Sequence, residues 1–144
     1  MEYLEITGNP LKGHYKNLLI AFLKEEGLTY EVEPKHTYCL LTDSGEMVAT
    51  GSIDDNVLKY IAISTLHQGE GLTATLMTHL LTYAIKHKVS HLFLYTKPKS
   101  VNFFSPFGFY KIQAATNVVL MENKKGGLTS FIKSVERETE AQLN

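Results

Sequence analysis

The chain has 144 residues, 44% of them hydrophobic and 20% charged, which suits one ordinary domain with a real core and argues against disorder. Its 14 basic and 15 acidic residues leave a formal net charge of −1 and are mixed along the chain, so no basic stripe points to nucleic acid. No apolar run approaches the roughly 20 residues that span a bilayer, and the opening MEYLEITGNP lacks the charged and apolar regions of a signal peptide, so the expectation is a cytoplasmic protein with no membrane partner.

In chain order, Tyr3 to Thr7 alternates apolar and polar side chains and reads as a short strand, broken by Gly8-Asn9-Pro10. Leu11 to Glu26 reads as a helix, with Leu18, Leu19, Phe22 and Leu23 on its apolar stripe and Gly27 as its C-terminal cap. Three strands follow: Thr37 to Thr42, Met47 to Ile53 and Val57 to Ile63. Turns at Asp43-Ser44-Gly45-Glu46 and Asp54-Asp55-Asn56 join them, so an antiparallel meander is expected. Leu72 to Lys88 reads as a second helix with Leu72, Leu76, Leu80 and Ala84 on one side, joined by Met77, Leu81 and Ile85. His91 to Thr96 is a strand whose Leu92-Phe93-Leu94 centre predicts burial on both faces. Ser100 to Phe107 is a short helix or turn interrupted by Pro106, and Phe109 to Gln113 and Val118 to Met121 are the last strands. Leu128 to Gln142 is helix-like but polar after Phe131-Ile132, a docking helix or a linker. The domain reading is therefore 1–127, with 128–144 as a C-terminal helix or linker. The element order predicts a mixed α/β sheet with a right-handed crossover through the second helix.

The most informative stretch is Tyr60 to Thr73. An apolar strand ends at a short loop with two glycines two apart, and an amphipathic helix starts at once. Such a junction aims free backbone N–H groups and the positive end of a helix at one place, as a phosphate requires. Spacing alone fits an ordinary strand-to-helix turn equally well. The run is neither a P-loop nor the G-x-G-x-x-G fingerprint, because no Gly-Lys-Ser/Thr follows and Ala74 stands where the third glycine belongs.

Other candidates are bounded by chemistry. Cys39, the only cysteine, sits in Tyr38-Cys39-Leu40-Leu41 and reads as a small buried hydrophobe rather than a nucleophile. The six histidines show no metal spacing and read as surface residues. His79 and His87 share a helix face without a third ligand, and His67 borders the glycine loop. Asp54 and Asp55 suit a tight turn, and either would serve as a general base if a substrate bound there. The aromatic run Phe104-Ser105-Pro106-Phe107-Gly108-Phe109-Tyr110 either packs the end of the sheet or lines a slot beside a cofactor tail.

With the glycine loop joined to the later Gly-Phe, the chain resembles the GNAT acyltransferase superfamily. The family's Q/R-x-x-G-x-G/A appears as Gln68-Gly69-Glu70-Gly71-Leu72-Thr73, with Thr73 in place of the final small residue. Its Y-x-x-x-G-F appears as Phe104-Ser105-Pro106-Phe107-Gly108-Phe109. The resemblance implies an α/β (α+β) fold. Its mixed, mostly antiparallel sheet of about six to seven strands splits between strands 4 and 5, with helices on both faces, and accepts acetyl-CoA or CoA without a metal. Carried over by position, the backbone of Ile61, Ala62 and Ile63 would pair with the pantetheine arm. The amides of Gln68, Gly69, Glu70, Gly71, Leu72 and Thr73 would hold the pyrophosphate, and Lys97, Ser100 and Phe104 complete the expected cofactor set. Two positions depart from the pattern. Lys97 replaces an Asn, and Phe104 replaces the Tyr that protonates the leaving thiolate, so Tyr95, Tyr110, His67 or water must substitute.

A narrower resemblance rests on Gly51-Ser52-Ile53, Ala62-Ile63-Ser64, Gly69-Glu70-Gly71-Leu72, Leu92-Phe93-Leu94-Tyr95-Thr96-Lys97-Pro98, Phe103-Phe104, Gly108-Phe109 and Val119-Leu120-Met121-Glu122-Asn123. These runs are similar to the N-terminal domain of the citrate lyase ligase family. That family acetylates a CoA-like prosthetic group on the acyl carrier subunit of citrate lyase, using acetate and ATP, so the carrier subunit is an implied partner. Its second, nucleotide-binding domain carries an H-x-G-H type motif with no counterpart here, which implies a fragment of a longer ligase or a stand-alone relative. Two other functions remain open beside this one: an N-acetyltransferase of a small amine or lysine, and a non-catalytic module that docks the carrier. The residues leave the oligomeric state open.

Overall fold

Four strands pair in chain order, each antiparallel to the next: β1 (Leu4–Gly8), β2 (His36–Leu41), β3 (Met47–Asp54) and β4 (Val57–Ile63). The structure, a computed structural model, describes residues 2–124; the helix-like stretch read at Leu128 to Gln142 lies outside them. The chain divides into two compact units, Met1–Ser90 and His91–Asn144.

In the first unit the turn chemistry works as expected. Between β2 and β3 the Thr42 amide donates to the Glu46 carbonyl at 2.8 Å and Gly45 takes φ +85°, a left-handed conformation that glycine adopts without steric cost. Asp54 pairs with Val57 across the next turn, where Asp55 adopts φ +55°. Helix α1 (Gly13–Glu25) follows β1, and helix α2 (Leu72–Lys86) follows β4. The two helices cover opposite faces of the sheet. Leu19, Phe22 and Leu23 of α1 share a buried cluster with Cys39 and Ala62, and both of those residues sit opposite Thr50. The intervening face, at Gly51, meets Leu76 and Leu80 of α2.

Several boundaries shift by one or two residues from the sequence reading, and the larger shifts have local reasons. Helix α1 starts at Gly13 rather than Leu11, because the Leu11 backbone lies against Gly8, where an added Cβ would come within 2.6 Å of it. Helix α2 ends at Lys86 rather than Lys88. There Lys88 takes φ +60°, and its amide and that of Val89 donate to the carbonyls of Ile85 and Ala84, the Schellman pattern that terminates a helix. The same pattern closes α1, with Gly27 at φ +79°, as expected of that glycine. Ile85, placed on the apolar side of α2 by spacing, is 72% exposed at its flank.

In the second unit β7 (Val119–Glu122) pairs antiparallel with both β5 (Phe93–Thr96) and β6 (Tyr110–Ala114). Strand β5 starts two residues later than expected because the Leu92 amide donates to the Asn123 Oδ1 at 2.8 Å instead of joining the ladder. Leu92, Phe93 and Leu94 are all buried, as their apolar run predicts. The segment from Pro98 to Phe107 forms two 3-10 turns, Pro98–Phe103 and Ser105–Phe107, the second carrying Pro106 inside it.

Candidate functional site

Strand β4 carries an irregularity that leads into the glycine loop. Ser52 pairs with Lys59 and Thr50 with Ala62, so Tyr60 and Ile61 together oppose the single residue Gly51. This is a β-bulge, with Tyr60 at φ +54°, and it leaves part of the ladder unpaired. Tyr60 is pinned from its far end: its hydroxyl donates to the Val32 carbonyl and accepts the amides of Glu31 and Val32, at 3.0 to 3.1 Å. Its ring stacks on Tyr30 at 5.1 Å. Nothing in the alternation of β4 announces the extra residue, and taken alone the strand reads as regular.

Beyond Ile63 the chain makes a 3-10 turn at Thr65–His67 and enters the loop. Gly69 and Gly71 take φ +88° and +78°, and a Cβ built at either meets nothing within 4 Å. Gly71 is the residue that caps α2; no side chain caps the helix, and its first turn holds no acidic residue. The first amides of α2 have no carbonyl a turn behind them to bond, and the helix end is electropositive. Open space over two glycines, followed by an uncapped helix start, is the geometry that receives an anion in backbone contacts. The expected cofactor residues Ile61, Ala62, Ile63, Gln68, Gly69, Glu70, Gly71, Leu72 and Thr73 are thus continuous through the bulge, the loop and the helix start. His67 lies beside this loop with Nδ1 at 3.3 Å from the Ser64 Oγ.

Lys97, Ser100 and Phe104 belong to the second unit. Phe104 is 3% exposed and packs as a core side chain, and the Ser100 amide donates to the Lys97 carbonyl at 2.9 Å. Of the proton-transfer candidates there, Tyr95 is exposed and Tyr110 is engaged. The Tyr110 hydroxyl contacts a Glu122 carboxylate oxygen and the Lys124 carbonyl. Glu122 is 2% exposed and also meets the His91 Nε2 at 3.1 Å. A buried carboxylate bound by two partners is a satisfied network.

Elsewhere in the first unit the remaining candidates find structural partners. Burial pushes the Cys39 thiol up to about 11, which removes it as a nucleophile at neutral pH. Asp55 pairs with Lys35, and Asp54 with Lys59 at 3.6 Å. The surface reading of the histidines fails at His36, which is buried. It stacks on Tyr83 at 4.0 Å, Tyr38 stacks on His79 at 4.0 Å, and the Nε2 atoms of His36 and His79 are 2.8 Å apart. His36 and Tyr38 face α2 from β2 because they pair with Ile53 and Gly51 of the face that α2 covers, a register that one strand read alone does not reveal. Among the described residues no group of three His, Cys, Asp or Glu side chains converges as a metal site would.

This arrangement has a known class. Residues 10–119 match the family model described as "Acetyltransferase (GNAT) domain", and the chain belongs to that family. Its fold is that of an acyl-CoA N-acyltransferase from Pseudomonas aeruginosa, with a TM-score of 0.68 at 14% identity over 85% of this chain and all of that one. An N-acetylglutamate synthase from Neisseria gonorrhoeae, solved with coenzyme A and N-acetyl-glutamate, aligns with a TM-score of 0.60 at 16% identity, over 85% of this chain and 35% of that one.

Within the family the chain is similar to the [citrate [pro-3S]-lyase] ligase of Klebsiella pneumoniae, 40% identical over 115 residues, which are 79% of this chain and 33% of the relative. The chain spans about a third of the length of the curated relatives it matches.

Proposed function

We propose that this chain is an acyltransferase-type domain that binds acetyl-CoA or a CoA-like prosthetic group through the loop from Gln68 to Thr73. The observation that carries the reading is the pair of left-handed glycines, open on their side-chain side, immediately before an uncapped helix. Peptide N–H groups suit a pyrophosphate because they are fixed donors that carry no counter-charge to desolvate. The bulge at Tyr60 and Ile61 would free β4 backbone groups to pair with a pantetheine arm. Acetyl-CoA, when bound, supplies a thioester open to attack by an acceptor amine or thiol; the chain's own part is to hold and orient it. The carrier-bound group of a citrate lyase shares the pantetheine and pyrophosphate of CoA, so the same loop would serve both, with the acyl carrier subunit as the protein partner.

A second reading, a binding module without turnover, is favoured by one observation. Phe104 has no proton to give, and the Tyr110 hydroxyl is engaged by Glu122 and the Lys124 carbonyl. Calorimetric titration with acetyl-CoA and dephospho-CoA tests the main proposal. Micromolar binding is expected, lost in Gly71→Glu, which places a charge and a left-handed non-glycine residue in the loop. Unchanged affinity in that variant would sink the proposal. Thiol release in an amine and carrier screen then separates the enzyme from the module.

A further inference from the structure

Glu70 is an odd neighbour for an anion site. It stands between the two left-handed glycines and is exposed. A carboxylate at that position is an acceptor without a donor, one residue from uncapped amides that attract negative charge. Left free, it would fold over those amides as an internal anion or stand against an incoming pyrophosphate. The structure shows it held elsewhere: the Tyr3 hydroxyl donates to the Glu70 Oε2. The Tyr3 ring sits edge-on to His67, with centroids 6.4 Å apart at 78°, and His67 in turn lies against Ser64. The phenol pKa of Tyr3 is raised, chiefly by that hydrogen bond.

We propose that Tyr3 is a positioning residue for the loop: its hydroxyl draws the Glu70 carboxylate aside and keeps the amides of Gly69 to Ala74 open to a phosphate-bearing ligand. The proposal rests on the CoA reading above for the ligand, while the latch itself is a property of the ligand-free protein. Glu70 is the only carboxylate between Thr65 and Leu92, so no other acidic side chain of that segment competes for the role.

The test uses Tyr3→Phe, Glu70→Gln and the double variant, titrated with acetyl-CoA. Phe keeps the ring against His67 and removes only the donor. Tyr3→Phe should weaken binding by roughly five- to tenfold, the scale of two unit charges about 4 Å apart in bulk water, as suits an exposed carboxylate. Glu70→Gln leaves the residue-70 amide in place and removes the carboxylate charge, so it should bind more tightly than the wild type, and the double variant should bind more tightly than Tyr3→Phe. The loss in Tyr3→Phe should shrink at high salt, where exposed charges are screened. A Tyr3→Phe variant that binds like the wild type overturns the proposal. So does a double variant as weak as Tyr3→Phe, because the tyrosine would then be holding structure rather than charge. The amide resonances of Gly69 to Ala74 without ligand decide the latch independently: they should move in Tyr3→Phe and return in the double variant, and static resonances overturn it. If wild-type protein binds neither acetyl-CoA nor dephospho-CoA, the CoA reading falls while these resonances still decide the latch.

Discussion

His36 shows how burial turns one side chain into a pH-dependent contribution to stability. Its ring is 4% exposed, with His79 and His87 nearby, Tyr83 stacked on it and the Asn9 Oδ1 at 2.5 Å from Nδ1. Burial first, then the two histidines, lower its pKa from 6.5 to about 4. The unfolded chain therefore takes up a proton near pH 6.5 and the folded chain only near 4. The stability this group contributes is complete above about pH 6.5 and is lost as the pH falls from there to about 4, by about 3 kcal/mol at most. His79, lowered by its own burial, acts in the same direction. Urea unfolding at pH 7, 5.5 and 4 should show the decline, and His36→Phe should flatten it. An equal slope in both proteins would mean that other groups carry it.

At the scale of elements, two glycine-related positions make opposite predictions. A side chain at Gly51 would meet the Leu80 Cδ1 at 2.8 Å and the Leu76 Cδ1 at 2.9 Å, and both leucines are fully buried. Packing that close leaves β3 and α2 no room to adjust, so Gly51→Val should cost about 1–3 kcal/mol of overpacking, read as a lower urea midpoint at an unchanged slope. At the end of α2, Lys88 occupies the left-handed position that Gly27 occupies at the end of α1. A side chain there is strained by roughly 1–2 kcal/mol, so Lys88→Gly should stabilise by about 0.5–1 kcal/mol once the roughly 0.5–1 kcal/mol of entropy that glycine adds to the unfolded chain is subtracted. Thermal unfolding checks it, and a lower midpoint would show that the lysine makes a contact worth more than its strain.

At the scale of the whole molecule, what was legible in the sequence was local. Leu19, Phe22 and Leu23 recur at helical spacing and are buried; Asp43 to Glu46 carries turn chemistry and turns; Gly69 and Gly71 stand where only a left-handed backbone suits the chain. What escaped depends on register between segments far apart. Burial of His36 follows from its pairing with Ile53, and engagement of Tyr110 from the Glu122 that lies opposite it across β6 and β7. The candidate site divides the same way. Its glycine loop is continuous in the chain and could be read there, whereas the bulge that precedes it exists only as a mismatch between two strands.

That mismatch gives β4 something like a reading frame. Leu58 and Ala62 are four apart, and in a regular strand both would point the same way. Because Tyr60 and Ile61 share one opposing position, Leu58 shares a face with Ile53 toward α2, while Ala62 shares one with Thr50 in the α1 cluster. The chain thus tolerates exchange of letters along β4 far better than a change in their number. Removing a single residue between Lys59 and Ala62 would transpose everything downstream onto the wrong side of the sheet, with the approach to the glycine loop carried along. Length, rather than identity, is the quantity natural variation should hold constant there.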